Sequence, residues 1–587
     1  MDPRHEYSRR LQAALARQGQ LQAGEKRNRA GQAGVLLAGI LMLNLVFAVN
    51  LLHVSWVAVP VLLFLILWRR QRRLLADLRR AGRQVEFYQR GLARIDHCWQ
   101  GLGDPGLDWL RPDHPYALDL DLFGHASLFE RLSTAPTRAG ARTLADWLQE
   151  PASLEEVRAR QQAVDDLRGR LDLREEMYLR AAEVPPGIDL DRLIDWAAAP
   201  PLLSSVPWRY AASGIVFVGL AALALGGLGV YLPVLLVQTA LGVYWMRRVG
   251  QVIAPVDRRS RELEVFGKLL ERIEREKFRA PALDRLQEAL WQDGLPPSAC
   301  VRKLSKLVRQ LDATADPALR AVTWFLLLST RTAFALEAWR ARYGGAVARW
   351  LEALATFEAL SSLAAYAYEN PDDPFPEFEE AGPAFEGKEL GHPLLPASQC
   401  VRNDLRLDRA RRVLVITGSN MSGKSTFLRT VGVNAVLGLA GGPVRAGRLK
   451  LSRLAIGATL RIHDSLRSGQ SRFYAEIARL RQLVDLGQST PLLFLLDELL
   501  HGTNPGERRR GAAGVVRGFL DLGAIGLLTT HDLAVTELVD AVGPPAANVH
   551  FDDRWEAGKL VFDHRLKPGV ADHGNALELM RAIGLRV

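Results

Sequence analysis

The sequence predicts a multi-domain chain in which an α-helical region, interrupted by two transmembrane helical hairpins, precedes an α/β domain. Three observations predict it. Residues 30–68 and 210–246 contain no Lys, Arg, Asp or Glu. The segments around them place apolar residues at helical spacing among many charges. From residue 391 onward the pattern changes to short, continuous apolar runs ending in polar tips, as expected of buried parallel strands.

Residues 1–29 are polar, rich in Arg and Gln, and read as a cytosolic helix rather than a secretory signal. As one helix, residues 30–68 would extend ~58 Å at 1.5 Å per residue, far beyond a ~30 Å hydrocarbon core. Two passes joined by a turn around residues 50–60 fit better. Lys26, Arg27 and Arg29 precede this hairpin and Arg69, Arg70, Arg72 and Arg73 follow it, so both ends are expected on the cytoplasmic side. A connecting helix over 69–104 leads to the first part of a helical body, 105–205. There Ser153 and Glu156 form a capping box, and residues 158–173 read as a solvated amphipathic helix.

The second hairpin spans 206–248. Gly226-Gly227-Leu228-Gly229 through Pro233 supplies its turn, Arg209, Arg247 and Arg248 flank it, and Trp208, Tyr210, Tyr244 and Trp245 suit the membrane interface. Four passes in a cell membrane follow, with everything else cytoplasmic. The polar residues inside the passes are chiefly Asn44, Asn50 and Gln238, which argues against a solute pathway, and no transported small molecule is implied. The helical body resumes over 249–370. Residues 322–328 are too short to span and read as a core helix; Leu351, Leu354, Phe357, Leu360 and Leu363 mark a helix ending near Asn370-Pro371. Residues 371–390, Pro-rich and acidic at their start, read as a linker to the α/β domain, 391–587, which closes with a helix over 575–585.

In that domain the run Val413-Leu414-Val415-Ile416 leads into G-x-x-x-x-G-K-[ST], from Gly418 through Ser419, Asn420, Met421, Ser422, Gly423, Lys424 and Ser425 to Thr426. Glycines let such a loop turn its N–H groups toward phosphate oxygens, and a helix opening at Gly423 adds its positive end. Lys424 is placed to reach the β/γ-phosphates and Ser425 to ligate Mg²⁺. A second run, Leu492 to Leu496, ends in Asp497-Glu498: one carboxylate for Mg²⁺, the next for a general base on the attacking water. A third, residues 524–530, delivers His531 to the same sheet edge.

The stretch Thr417 to Thr426, with its Asn420-Met421 pair, resembles the nucleotide loop of the MutS family of DNA mismatch repair ATPases. Residues 464–476 resemble that family's signature loop, residues 496–504 its Mg²⁺ strand and following loop, and Thr530-His531-Asp532 its histidine switch. Residues 119–124 and 137–148 resemble the core segment before the family's lever helices. The resemblance implies an α-helical core and lever region followed by an α/β P-loop ATPase domain of the ABC type. It implies ATP and Mg²⁺ as cofactors, Glu498 and His531 as catalytic residues, and Ser425 and Asp497 at the metal. Residues 418–426 and Asn504 would hold the nucleotide, with Ser471 supplied in trans by the second chain of a homodimer.

The chain departs from the family in three places. Cys400 stands where a Phe stacks on adenine, which weakens base selectivity. Arg508-Arg509-Arg510 follows the Mg²⁺ strand's loop and reads as a solvated helix face. The family's mismatch reader carries a Phe-x-Glu wedge, whereas here Phe375-Pro376-Glu377 lies in the linker, so no mismatch reading is expected.

A net charge of +10 over 587 residues points to an anionic partner, nucleic acid or a lipid headgroup surface, here that of the inner, cytoplasmic membrane; the resemblance implies double-stranded or branched DNA. Only Cys98, Cys300 and Cys400 occur, widely spaced, which implies neither disulfides nor a zinc site. Two functions fit: ATP turnover coupled to DNA binding, or an ATP-driven membrane machine or scaffold whose hairpins move as the ATPase dimer closes.

Overall fold

A computed structural model describes the chain except residues 1, 50–52, 184–190, 204–205, 258, 292–293, 315–319, 420, 462–471, 502, 557–558 and 571–587. Asn420, Ser471 and the expected helix over 575–585 therefore lie outside the described residues. The chain divides into two units, residues 1–99 with 172–182, and residues 100–171 with 183–587.

The first unit is built on two long helices, Pro3–Phe47 and Ala58–Ile95, joined through a 3-10 turn, Val54–Val57. The expected cytosolic helix and first apolar pass are one continuous helix; so are the second pass and the connecting helix. Asp2 caps the first, its carboxylate accepting from the Arg4 N–H at 3.0 Å. The helices run antiparallel, Tyr7 against Tyr88, Asn28 against Gln71 and Gly39 against Pro60. Between them lies a buried polar chain. Gln71 donates to Glu25 at 2.6 Å, and Asn28 donates to Gln71 at 2.8 Å and to the Leu67 carbonyl at 3.0 Å. A slip would leave these groups unpaired, so they fix the register. Beyond them the apolar side chains face outward: Leu37 is 71%, Ile40 65% and Leu62 62% exposed, an apolar surface of the kind that marks a binding or membrane face.

In the second unit the spine is helix Leu328–Glu369, packed against helices Arg138–Gln149, Leu154–Arg168, Asp191–Ala198, Val206–Ile253 and Pro297–Thr314. Leu351, Leu354, Phe357, Leu360 and Leu363 are all buried along it. Trp350 and Trp339 donate their indole N–H to the carbonyls of Leu290 and Cys300, at 2.8 and 2.9 Å, as buried indoles require. Ser153 caps helix Leu154–Arg168 as expected, accepting from the Glu156 N–H.

The Val206–Ile253 segment is broken at Gly227, whose φ of 65° and ψ of −162° lie outside the helical region. It is thereby a hairpin. Gln238, buried within it, accepts from the Tyr231 hydroxyl at 2.9 Å and donates to the Ile215 carbonyl at 3.3 Å. Its polar group is spent holding the two arms together. Among the described residues, four helices are long and apolar enough to cross a membrane by length and composition.

Two expectations are corrected. Residues 322–328 are not a core helix: a short helix, Arg320–Phe325, ends at a left-handed Leu327, and Val322 and Trp324 stay exposed beside the second hairpin. Residues 371–390 are not a free linker, since they contain β1 (Glu377–Glu379) and the whole of β2 (Phe385–Leu390). These join β3 (Asn403–Leu407) and β5 (Arg448–Ser452) in a four-stranded sheet ordered β1-β5-β2-β3. Alternating apolar residues such as Phe385 and Leu405 bury one face, a period-two signal hidden by the flanking prolines.

The main sheet has six strands in the order β10-β9-β4-β8-β7-β6, formed by β4 (Val413–Thr417), β6 (Ala455–Thr459), β7 (Leu492–Asp497), β8 (Ile525–Thr529), β9 (Ala546–Glu556) and β10 (Lys559–Pro568). All neighbours are parallel except β9 and β10. The apolar runs recognised in the sequence are β4, β7 and β8, its buried centre. Their carboxyl ends sit side by side, Ile416 beside Thr529 and Asp497 beside Thr529.

Candidate functional site

The loop after β4 is shaped by residues that tolerate its backbone. Gly418 has φ +146°, and a Cβ there would lie 2.8 Å from Ser422 Oγ and 2.9 Å from the Phe551 carbonyl. Gly423, at φ +107°, turns the chain into helix Lys424–Ala440, whose amino end faces the loop. Met421 projects outward, 78% exposed. Lys424 is buried and curls over the loop, donating to the carbonyls of Gly418 at 2.7 Å and Ser419 at 2.8 Å. Burial pulls its pKa down while Glu498, Asp497 and Asp553 pull it up.

Ser425, one residue on, donates to Asp497 Oδ2 at 2.6 Å. The other Asp497 oxygen accepts from Thr529, so β4, β7 and β8 each contribute to one cluster. Glu498 leaves the strand in the left-handed region, φ +50°, held by its N–H on the Thr529 carbonyl and hydroxyl, both at 3.2 Å. That turn aims its carboxylate at His531, whose Nδ1 lies 3.2 Å from Oε1. Residues from three strand tips thus converge, as their spacing predicts. A serine hydroxyl beside a carboxylate is an all-oxygen donor set suited to a hard cation. Amide-lined loop, buried ammonium and helix end make a cradle for polyphosphate.

Beside the loop opens a pocket of about 210 Å³ lined by Leu390, Cys400, Val401, Met421, Phe551 and His564 among others. Cys400 does lie there, its sulfur accepting from the His392 N–H at 3.2 Å. Asn403 bonds to the His564 carbonyl and the Leu566 N–H, and His564 Nδ1 donates to the Ser422 carbonyl at 2.8 Å. His564 belongs to the irregular β9–β10 hairpin and carries no sequence signal.

Other placements differ from the sequence reading. Asn504 caps helix Pro505–Asp521, accepting from the Glu507 N–H at 2.9 Å. Of the three arginines expected on a solvated face, Arg509 and Arg510 are exposed, but Arg508 is not. Its side chain is 14% exposed and donates to the carbonyls of Leu500, His501 and Thr503, each at 3.3 Å. The following helix therefore grips the loop after β7, a role a run of three arginines conceals. Glu476, at the end of the expected signature segment, is buried and accepts from the Leu500 N–H at 2.7 Å.

Comparison with known proteins follows this division of the chain. The family model for MutS domain III matches residues 117–364, and that for MutS domain V matches residues 414–586. A DNA mismatch repair protein MutS of Exiguobacterium sp. is 40% identical over 185 residues, 30% of this chain and 21% of the relative. One of Lactobacillus delbrueckii subsp. bulgaricus is 33% identical over 194 residues, 33% of this chain and 22% of the relative. A DNA mismatch repair protein MutS 2 of Halobacterium salinarum is 34% identical over 248 residues, 41% of this chain and 27% of the relative. The matched part of the chain thus spans between a fifth and a little over a quarter of these relatives' length.

Proposed function

The chain belongs to the MutS family, and from that premise we propose that it is a membrane-anchored, Mg²⁺-dependent ATPase that works as a homodimer and couples ATP turnover to DNA. The observation that carries the chemistry is the cluster at the strand tips, where the Ser425–Asp497 hydrogen bond of 2.6 Å stands beside the Glu498–His531 contact of 3.2 Å. Ser425 and Asp497 would hold Mg²⁺, which when bound neutralises phosphate charge. Lys424 and the loop amides bind and orient the phosphates. Glu498 takes the proton of the attacking water, and His531 fixes the carboxylate's direction. Ser471 of the second chain completes the site, by the family's pattern.

Support for DNA is the family and the net charge of +10; the relatives are named as DNA mismatch repair proteins. Support for the membrane is the four long apolar helices with outward-facing side chains and basic flanks. A second reading, an ATP-driven membrane machine, is favoured by one feature. The unbroken helix Leu328–Glu369 meets the second hairpin where Phe334 packs on Trp245, and its far end is tied to the strand domain through Asp373, which accepts from Tyr366 at 3.2 Å and pairs with Arg445 at 3.1 Å.

Phosphate release by detergent-solubilised protein, with and without duplex, branched or single-stranded DNA, tests the proposal. Stimulation by DNA supports the first reading. Turnover that ignores DNA but responds to lipid reconstitution supports the second, and a protein that releases no phosphate sinks both.

A further inference from the structure

Glu498 has a second imidazole neighbour that the hydrolytic scheme does not use. His501 sits three residues on, in the loop that Arg508 grips, with its Nδ1 3.9 Å from Glu498 Oε2. His531 lies on the other oxygen, and the two imidazole rings meet edge to face with centroids 5.2 Å apart. One nitrogen from each histidine and one carboxylate oxygen all fall within 4.8 Å of one another. Both imidazoles are exposed and Glu498 is partly so, which leaves the group open to solvent.

We infer that Glu498, His501 and His531 form a binding site for a borderline transition-metal dication of the Zn²⁺ class, separate from the Mg²⁺ position at Ser425 and Asp497. Ligand type argues for it. Two imidazoles and a carboxylate suit Zn²⁺, whereas Mg²⁺ selects oxygen donors and keeps its waters. Distance argues for it too. At metal–nitrogen bonds of about 2.0–2.1 Å, tetrahedral ligand atoms stand roughly 3.3–3.4 Å apart, so a set that already lies within 4.8 Å draws together around a metal by at most about 1.5 Å between any two ligand atoms. Three protein ligands leave a fourth position for water.

The consequence for turnover rests on the ATPase reading above. A metal held here takes the lone pair by which Glu498 accepts a proton and fixes His531, so Zn²⁺ stops hydrolysis without displacing Mg²⁺. The loop residues Leu499 and Leu500 are buried and Arg508 bonds the carbonyls of Leu500 and His501, so the backbone that carries the His501 imidazole is held in place.

The test is a Zn²⁺ titration of the untagged, detergent-solubilised full chain without nucleotide, in competition with a chromogenic chelator and with Mg²⁺ in large excess. One equivalent per chain is expected. His501→Gln and His531→Gln should each bind about 100-fold more weakly or worse, at an unchanged melting temperature. Wild-type protein that takes up no equivalent, or a His501→Gln variant that binds as tightly as wild type, overturns the site. In metal-free wild type, phosphate release should fall as the equivalent is added; release unaffected by bound Zn²⁺ overturns the inhibition. Absence of any release from the metal-free protein overturns the ATPase reading instead, and the nucleotide-free titration is independent of it.

Discussion

Arg508 and Asp532 face each other at 3.5 Å, guanidinium to carboxylate, and so join the helix after β7 to the residue that follows His531. Because the same guanidinium holds three loop carbonyls, Arg508 links the base-bearing loop to the histidine-bearing turn.

Arg508→Ala should therefore lower kcat about tenfold or more, since hydrogen bonds from a charged, mostly buried group contribute about 1.5–3 kcal/mol each way they are lost. Arg508→Lys should recover only part of this, because an ammonium cannot reproduce the planar fork. Steady-state phosphate release with melting curves as a folding control measures it; full activity in Arg508→Ala would contradict the linkage.

Glu498→Gln should reduce turnover by about 10²-fold or more while ATP still binds, because the amide keeps the shape but accepts no proton. Lys424→Ala should abolish nucleotide binding itself. Binding measured by a fluorescent ATP analogue separates the two, and wild-type turnover in Glu498→Gln would remove it from the base role.

A buried carboxyl far from the site makes stability depend on pH. Glu358 on the spine accepts from the Thr137 hydroxyl at 2.5 Å, and burial pushes its pKa up to about 8, with the Thr137 bonds opposing. A raised carboxyl pKa means that the folded state keeps the proton. The stabilisation is complete below the carboxyl's ordinary value of 4.5, declines as pH rises between 4.5 and about 8, and is gone above that. Glu358→Gln, which keeps an acceptor for Thr137, should flatten the fall in apparent Tm between about pH 5 and 8. Parallel slopes for the two proteins would refute this.

Gly526 in β8 pairs with Phe494 in β7, and a Cβ there would lie 2.3 Å from the Phe494 carbonyl and 2.4 Å from its ring. Gly526→Ala should destabilise the strand domain by about 3 kcal/mol or more, since neither neighbour is a flexible chain end. Chemical denaturation followed by domain-specific fluorescence would show it.

If the apolar helices span the membrane, the protein should stay in the pellet after alkaline carbonate extraction, and a reporter fused after Val587 should read out on the cytoplasmic side. Release by carbonate would contradict insertion.

The sheet centre was legible because β4, β7 and β8 are buried on both faces and so appear as unbroken apolar runs with chemistry at their tips. Lys424, Ser425, Asp497, Glu498 and His531 came with them, since strand ends fix where such residues meet. β1 and β2 were hidden because one face of their sheet is solvated and prolines surround them. His564, His501 and Arg508 were illegible for another reason. His564 meets Ser422 only through the tertiary fold, while His501 and Arg508 act through an irregular loop whose backbone path no apolar periodicity encodes. Residues 322–328 misled because apolar content alone does not say which neighbour, core or hairpin, a short helix meets.

Helix Pro3–Phe47 runs from its polar half into its apolar half without a break. An unbroken helix has a single rotational phase, so turning Tyr7 about the axis turns Leu37 and Ile40 through the same angle. It acts as a torsion rod. Each residue inserted between the halves would offset them by about 100°, and seven would bring them nearly back into phase. Tolerance to insertions there should accordingly rise and fall with the helical repeat rather than decline steadily with length.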